Sequence, residues 1–361
     1  MKKNILIIDD SALMRRVISD IINSDDRFQV IQTAVNGLEG LSLLQNRAKD
    51  FDAVLLDINM PKMNGIEMLE EMKVQNIKAT VIIVSTIAKK DAKETIRALE
   101  LGAFDFVKKP DSYLEVKGNI FSGHILECLA TATKAEEKQE KDVFPVKIKQ
   151  LLQPSEPVTK PLPKKERQGT NKLIALACST GGPKALHTVI PKLPKNLDAS
   201  MLIVQHMPGG FTKSLADRLN ELSDITVKEA EDGEVIQKGT VYIAKGGFQM
   251  RLKKQEGGLC ISISEEPARH GLLPCADIMY ESLEDLDIDQ ITCVVLTGMG
   301  GDGTAGISRL YKKQNIYVIA QNEETSVVYG MPKVVRDAGL VNEVIALDEV
   351  SDAITKNVGV R

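Results

Sequence analysis

Histidine is scarce in this chain. Four occur among 361 residues, His124, His187, His206 and His270, so imidazole catalysis has few candidates. Cysteine is sparse and scattered: Cys128, Cys178, Cys260, Cys275 and Cys293 are too far apart for a zinc motif. Their odd number fits reduced thiols in a cytoplasm, most of them core fillers. No run approaches the ~18 apolar residues of a membrane span. Met1-Lys2-Lys3 leads into only a few apolar residues before Asp9-Asp10. That falls short of the roughly 7 to 15 that a secretory leader needs, so the segment reads as a first strand. The expectation is a cytoplasmic protein with no membrane insertion. A net charge of −4 argues against a broad nucleic-acid surface. What remains is ordinary globular composition, 43% apolar and 27% charged. The length allows two domains at about 150 residues each.

From Asn4 to about Ala130 short apolar runs alternate with helical stretches. Ile5–Ile8, Val30–Ala34, Ala53–Leu56, Val81–Val84 and Phe104–Val107 read as buried strands. Met14, Val17, Ile18, Ile21 and Ile22 recur on one face at the helical period. Five strands alternating with helices predict a parallel sheet covered on both sides. The segment 133–170 differs in kind: nine Lys or Arg, six Asp or Glu, five prolines, and Phe144 as its only aromatic. Such composition buries little apolar surface and reads as a linker. A second α/β pattern begins at Lys172, with strand-like runs Leu173–Ala177, Met201–Val204, Val241–Ala244, Leu259–Ser264, Ile291–Leu296 and Ile316–Ala320. Helical stretches near Pro183–Ile190, Phe211–Leu222, Cys275–Leu286 and Gly306–Lys312 separate several of them, and Thr226 to Ser264 looks like a hairpin region at one edge. The domains expected are 1–125, a linker over 126–170, and 171–361. The second is a doubly wound α/β domain with a mostly parallel sheet and an antiparallel edge hairpin.

In open α/β sheets function gathers at the carboxyl ends of the strands. Asp9 and Asp10 end the first strand and Asp57 the third, and three such carboxylates repel unless a divalent cation joins them. An all-oxygen set suits Mg²⁺. The fourth strand ends at Ser85, and the fifth runs into Lys109-Pro110. Carboxylates, metal, hydroxyl and ammonium make a phosphoryl-acceptor site, with Asp57 as nucleophile and Ser85 reorienting toward the new phosphate. The stretches ILIIDDS, LLDINMPKMNG, IIVST and VKKP resemble the receiver domain of two-component response regulators over residues 1 to about 125. That resemblance implies a five-stranded flavodoxin-like fold and phosphorylation at Asp57. It also implies Mg²⁺ held by Asp10, Asp57 and the backbone carbonyl of Asn59, with Asp9 assisting.

In the second half, Cys178-Ser179-Thr180-Gly181-Gly182-Pro183 places Ser179 between a strand end and a helix start, where N–H groups favour negative charge. Met201–Val204 leads into Gln205-His206-Met207-Pro208, so His206 also lies at a strand's carboxyl end. LTGMGGDG, Leu296 to Gly303, carries Asp302 past another strand end. Ser179 as nucleophile, His206 as base and Asp302 as its orienter make a triad recognised by roles rather than order. The N–H of Met299, or another in this loop, is the expected oxyanion donor, with Thr180 as a further supporting position. His124 and His187 read as structural, and His270, in a loop, is a weaker catalytic candidate. Two rivals stand beside this reading. Gly298, Gly300 and Gly303 spell G-x-G-x-x-G, a dinucleotide fingerprint that predicts NAD(P) binding, with Glu323 near the acidic position. Cys178 is the other possible nucleophile, though its place inside a strand end favours a buried, inert thiol. A non-catalytic binding module switched by the receiver is a third class.

STGGP, QHMPGGFT, EAEDGEVIQKGTVYIA and LTGMGGDGTAGI strongly resemble the catalytic domain of the chemotaxis protein-glutamate methylesterases, which carry receiver, linker and esterase in this order. The resemblance implies that Ser179, His206 and Asp302 hold the triad positions. It implies hydrolysis of glutamate methyl esters, and deamidation of glutamine, on methyl-accepting chemotaxis receptors. A chemotaxis histidine kinase is the implied phosphodonor, and no metal is needed for the ester step. The two-domain layout and the family together imply that the unphosphorylated receiver limits access to Ser179. Three positions depart from the family: Lys245 stands where proline is usual, Gln249 where histidine is usual, and Pro274-Cys275 where a Pro-Ser pair is usual.

Overall fold

The computed structural model describes residues 1–86, 89–110, 119–135 and 171–361. It contains two compact units.

The first unit alternates strand and helix: β1 (Lys3–Ile8), α1 (Ala12–Asn23), β2 (Phe28–Ala34), α2 (Gly37–Arg47), β3 (Ala53–Asp57), α3 (Gly65–Val74), β4 (Val81–Ser85), α4 (Lys89–Leu101), β5 (Asp105–Lys108) and α5 (Asn119–Thr133). The strands pair in parallel in the order β2-β1-β3-β4-β5. β3 and β4 are buried along their whole length, which is why they read as unbroken apolar runs. Ile18 and Ile22 of α1 are fully buried, with Met14, Val17 and Ile21 packed around the same core, as the helical period requires. Because β1 and β3 are neighbours but not consecutive, the chain reverses direction between them. That switch point opens a crevice flanked by Asp9, Asp10 and Asp57. α5 runs to Thr133, so ordered helix continues into the segment assigned above to the linker. The remainder of that segment, 136–170, lies outside the described residues.

The second unit comprises β6 (Lys172–Cys178), α6 (Gly182–Val189), β7 (Ser200–Gln205), α7 (Phe211–Leu222), β8 (Thr226–Glu229), β9 (Thr240–Ile243), β10 (Gln249–Gln255), β11 (Gly258–Ser264), α8 (Ala276–Glu281), β12 (Gln290–Val295), α9 (Thr304–Lys313), β13 (Ile316–Gln321), α10 (Met331–Asp337), β14 (Glu343–Ile345) and α11 (Val350–Val358). Seven strands form one parallel sheet in the order β14-β13-β12-β6-β7-β9-β8. The antiparallel β10–β11 hairpin is a separate two-stranded sheet. It docks on α8, where Leu252 N–H donates to Ser282 Oγ at 3.0 Å. The helix expected over Cys275–Leu286 is shorter, because backbone bonds after Glu281 tighten to turns such as Leu283 N–H to Tyr280 at 3.0 Å. β6 is the first strand of this sheet and lies centrally, with later strands laid down on both sides. The switch point therefore falls at β6 and β12, and it is their carboxyl ends that carry Ser179 and Asp302.

Candidate functional site

In the second unit three strand-end loops converge through register. Cys178 of β6 pairs with Gln205 of β7, and Ala177 pairs with Val295 of β12. The residues that follow, Ser179, His206 and the Thr297–Asp302 loop, leave the sheet on the same edge. Ser179 N–H donates to the Thr297 carbonyl at 3.0 Å, and His206 N–H to the Cys178 carbonyl at 3.3 Å. Gly298 lies so close to Ser179 that a Cβ there would sit 2.8 Å from Ser179 Cβ and 3.0 Å from its N. The glycines of this loop thus bring strand-end backbones together.

His206 and Asp302, 96 residues apart, meet directly: ring Nε2 lies 2.8 Å from Asp302 Oδ2. The carboxylate accepts, so Nε2 carries the proton and Nδ1 is left as the basic nitrogen. Burial would raise the Asp302 carboxyl. The His206 hydrogen bond and charge, and backbone N–H groups of Asp277 and Ala276, outweigh it and hold the pKa at about 2. Ala276 N–H lies 2.6 Å from Oδ2, and Asp277 N–H and the Cys275 thiol lie 3.0 and 3.1 Å from Oδ1. Asp302 is therefore held in place and ionised against the His206 ring. Ser179 is half-buried beside this pair, and among the described residues no hydrogen bond joins its Oγ to the ring. Such bonds commonly close only around a substrate.

Thr180 accepts a bond from Thr297 Oγ1 at 2.9 Å through its carbonyl, tying the serine loop to the glycine-rich loop. Met299 is partly exposed in that loop. Cys178 is fully buried, and burial pushes its thiol far above the usual range, while Sγ donates to Gln205 Oε1 at 3.1 Å. It is a packing residue. His187 lies against the Pro183 carbonyl within α6, His124 is exposed on α5, and His270 is exposed in a turn at φ +54°. Glu323 lies exposed past β13.

Sequence reasoning missed Gln205. Buried at the end of β7, its Nε2 donates to the carbonyls of Ser179 at 3.1 Å and His206 at 3.3 Å. One amide thereby fixes the serine loop against the histidine loop. A lone Gln ending a β-rich apolar run before His206 is the signal that was there to find.

In the first unit Asp9, Asp10 and Asp57 each offer an oxygen within 4.8 Å of the others. Lys109 Nζ lies 2.9 Å from Asp9 Oδ2 and 2.9 Å from Asp57 Oδ1. Burial raises the Asp57 carboxyl to about 6, against the lowering effect of Lys109. Burial also works against the Lys109 charge, but Asp57 and Asp9 prevail and hold the ammonium above its ordinary range. Asp9 Oδ2 is buried and, among the described residues, meets only that ammonium. Exposed Asp10 completes a set of hard oxygens that fits Mg²⁺, the ion receiver domains typically bind. Asn59 lies two residues past β3 and its side-chain amide donates to Asp91 at 3.0 Å. Ser85 is buried and accepts a bond from Thr95 Oγ1 at 2.9 Å, a partner on α4 that the strand-end pattern does not reveal.

A family model described as CheB methylesterase matches residues 174–354, and one described as a response regulator receiver domain matches 5–117. The chain belongs to the CheB methylesterase family. Proteins named protein-glutamate methylesterase/protein-glutamine glutaminase are similar along its whole length. One from Syntrophomonas wolfei is 40% identical over 98% of both chains, and one from Bacillus subtilis is 40% identical over 97% of each. The solved Thermotoga maritima CheB methylesterase catalytic domain is 40% identical, aligns with a TM-score of 0.51, and covers 53% of this chain and 100% of its own. In this CheB-family chain the G-x-G-x-x-G stretch is the loop that carries Asp302. No helix among the described residues is long and apolar enough to cross a membrane.

Proposed function

We propose that this chain hydrolyses γ-glutamyl methyl esters on methyl-accepting chemotaxis receptors in the cytoplasm, deamidates glutamine at equivalent sites, and is activated by phosphorylation of Asp57. The observation that carries the reading is the 2.8 Å His206–Asp302 bond beside Ser179 at the switch point of the sheet. Ser179 Oγ attacks the ester carbonyl while His206 Nδ1 takes its proton. The imidazolium is stabilised by Asp302, which stays ionised. N–H groups of the Met299 loop, with Thr180 beside them, hold the oxyanion, an effect worth about 3 kcal/mol per donor. The C–OCH₃ bond breaks, and the proton on His206 leaves with methanol. Water, deprotonated by His206, then releases the glutamate carboxylate and restores Ser179. An amide follows the same path and yields ammonia.

In the receiver, Asp57 accepts the phosphoryl group from a chemotaxis histidine kinase, and Lys109 pairs with the phosphoryl oxygens. Asp10, Asp57 and the Asn59 carbonyl, with Asp9 assisting, would hold Mg²⁺, which would supply charge neutralisation there. Ser85 turns toward the phosphate, exchanging its bond from Thr95.

The test is methanol release from methylated receptor and ammonia release from its glutamine-bearing form. Ser179→Ala is expected to lose both by at least about 10⁴-fold, and Cys178→Ala to keep them. Undiminished release from Ser179→Ala overturns the reading.

A further inference from the structure

The starts of α8 and α9 hold each other through two aspartates, and only one of them belongs to the triad. Asp302, just before α9, places its carboxylate on the first turn of α8, where Ala276 and Asp277 donate their N–H groups at 2.6 and 3.0 Å. Asp277, on α8, returns the contact: its Oδ1 accepts Gly306 N–H, in the first turn of α9, at 2.7 Å. The two helix starts touch backbone to backbone. A Cβ on Gly306 would lie 3.0 Å from the Asp277 carbonyl and 3.2 Å from its Cα. Asp277 is 7% exposed, so its carboxylate is removed from water as well as placed near another carboxylate. Burial, and then the Asp302 charge, push its carboxyl up to about 6. A buried acid kept beside a like charge is costly, which points to a positional task rather than to packing.

We propose that Asp277 is a positioning residue of the ester-hydrolysing site: its carboxylate pins the turn that carries Asp302, while its N–H aims the Asp302 carboxylate at His206. The inference rests on reading Ser179, His206 and Asp302 as the triad. Losing the Asp277 acceptor frees the 302–306 turn, and the His206–Asp302 bond loses its fixed geometry. Asp277 is buried and offers a docking receptor little surface, so the effect is expected on the chemical step.

The experiment uses the full chain with methylated receptor, measuring kcat and KM for Asp277→Ala, Asp277→Asn and Asp277→Glu. Asp277→Ala is expected to lower kcat by about 10²-fold with KM within about twofold. Asp277→Asn, which keeps an oxygen facing Gly306 N–H, is expected to recover most of kcat. The downfield proton resonance of His206 Nε2 should be displaced or broadened in Asp277→Ala and retained in Asp277→Asn. Asp277→Glu keeps the charge but moves the acceptor by a methylene, and lowered kcat is expected there too, so the answer stands if Asp277→Ala does not fold. Wild-type kcat in Asp277→Ala or Asp277→Glu overturns the inference, as does a loss carried by KM or one with the His206 resonance unmoved. Ser179→Ala run alongside tests the triad separately. Methanol release that needs Ser179 but ignores Asp277 sinks the inference alone, and absence of release from the wild-type chain sinks both.

Discussion

Asp302 shows how a single side chain is tuned by what surrounds it. A buried carboxyl would ordinarily be neutralised upward, yet the His206 hydrogen bond and charge and the Asp277 and Ala276 N–H groups reverse that and bring it to about 2. The consequence for stability has a definite sign. A carboxyl whose folded pKa lies below its unfolded value stabilises the native state above the unfolded pKa, and loses that contribution as pH falls through the folded one. With 3.8 as the ordinary value, the window runs from about pH 4 down to about 2, and the contribution is about 2 kcal/mol. Urea unfolding of wild type and Asp302→Asn should therefore show a stability gap at pH 7 that narrows at pH 3. A gap that widens on acidification contradicts this account of the carboxylate. The residues around it were unequally legible. Ser179, His206 and Asp302 stood out because each follows an apolar run that ends in a loop. Asp277 did not, because its partners are backbone N–H groups that carry no residue-type signature, and Gln205 offered only the weak signal of a polar residue closing an apolar run.

At the scale of elements, the strands most plainly legible in the sequence are those buried on both faces, though the part-exposed β2, β5 and β11 also read as apolar runs. β1, β3, β4, β6, β7, β12 and β13 are short Ile-, Val-, Leu- and Ala-rich runs, because a parallel sheet covered on two sides leaves few polar positions. β10 is legible only within the hairpin region Thr226 to Ser264 and not as a run of its own, because its sequence QMRLKKQ ends in exposed Lys253, Lys254 and Gln255. A half-exposed ribbon lacks the continuous apolar signal. β14 is three residues long, with no fully buried side chain, and gave no signal either. Loop packing between elements was also beyond one-dimensional reading, and Gly298 is the sharpest case. A methyl group there meets Ser179 Cβ at 2.8 Å and also strikes the Met331 sulfur of α10. Gly298→Ala should push the serine loop off its register. The expected result is a kcat lower by about 10²-fold and a stability cost of about 1–3 kcal/mol. Steady-state kinetics and thermal unfolding read both. Unchanged kcat would show that the close approach of these loops does not place the nucleophile.

Across the whole molecule, two α/β units place two candidate sites at equivalent positions, the carboxyl edge of a parallel sheet at its switch point. The order of strands explains both: β2-β1-β3-β4-β5 opens beside Asp9, Asp10 and Asp57, and the seven-stranded sheet opens beside Ser179 and Asp302. Family membership along nearly the full chain joins the two in one protein. The account holds that the first site governs the rate of the second. The measurement that tests this most directly is methanol release from methylated receptor, with and without Mg²⁺ and a small phosphodonor, for wild type, Asp57→Ala and Ser179→Ala. The account predicts phosphodonor-stimulated release from wild type, unstimulated basal release from Asp57→Ala, and none from Ser179→Ala under either condition. Full stimulation in Asp57→Ala, or release that survives Ser179→Ala, would contradict it.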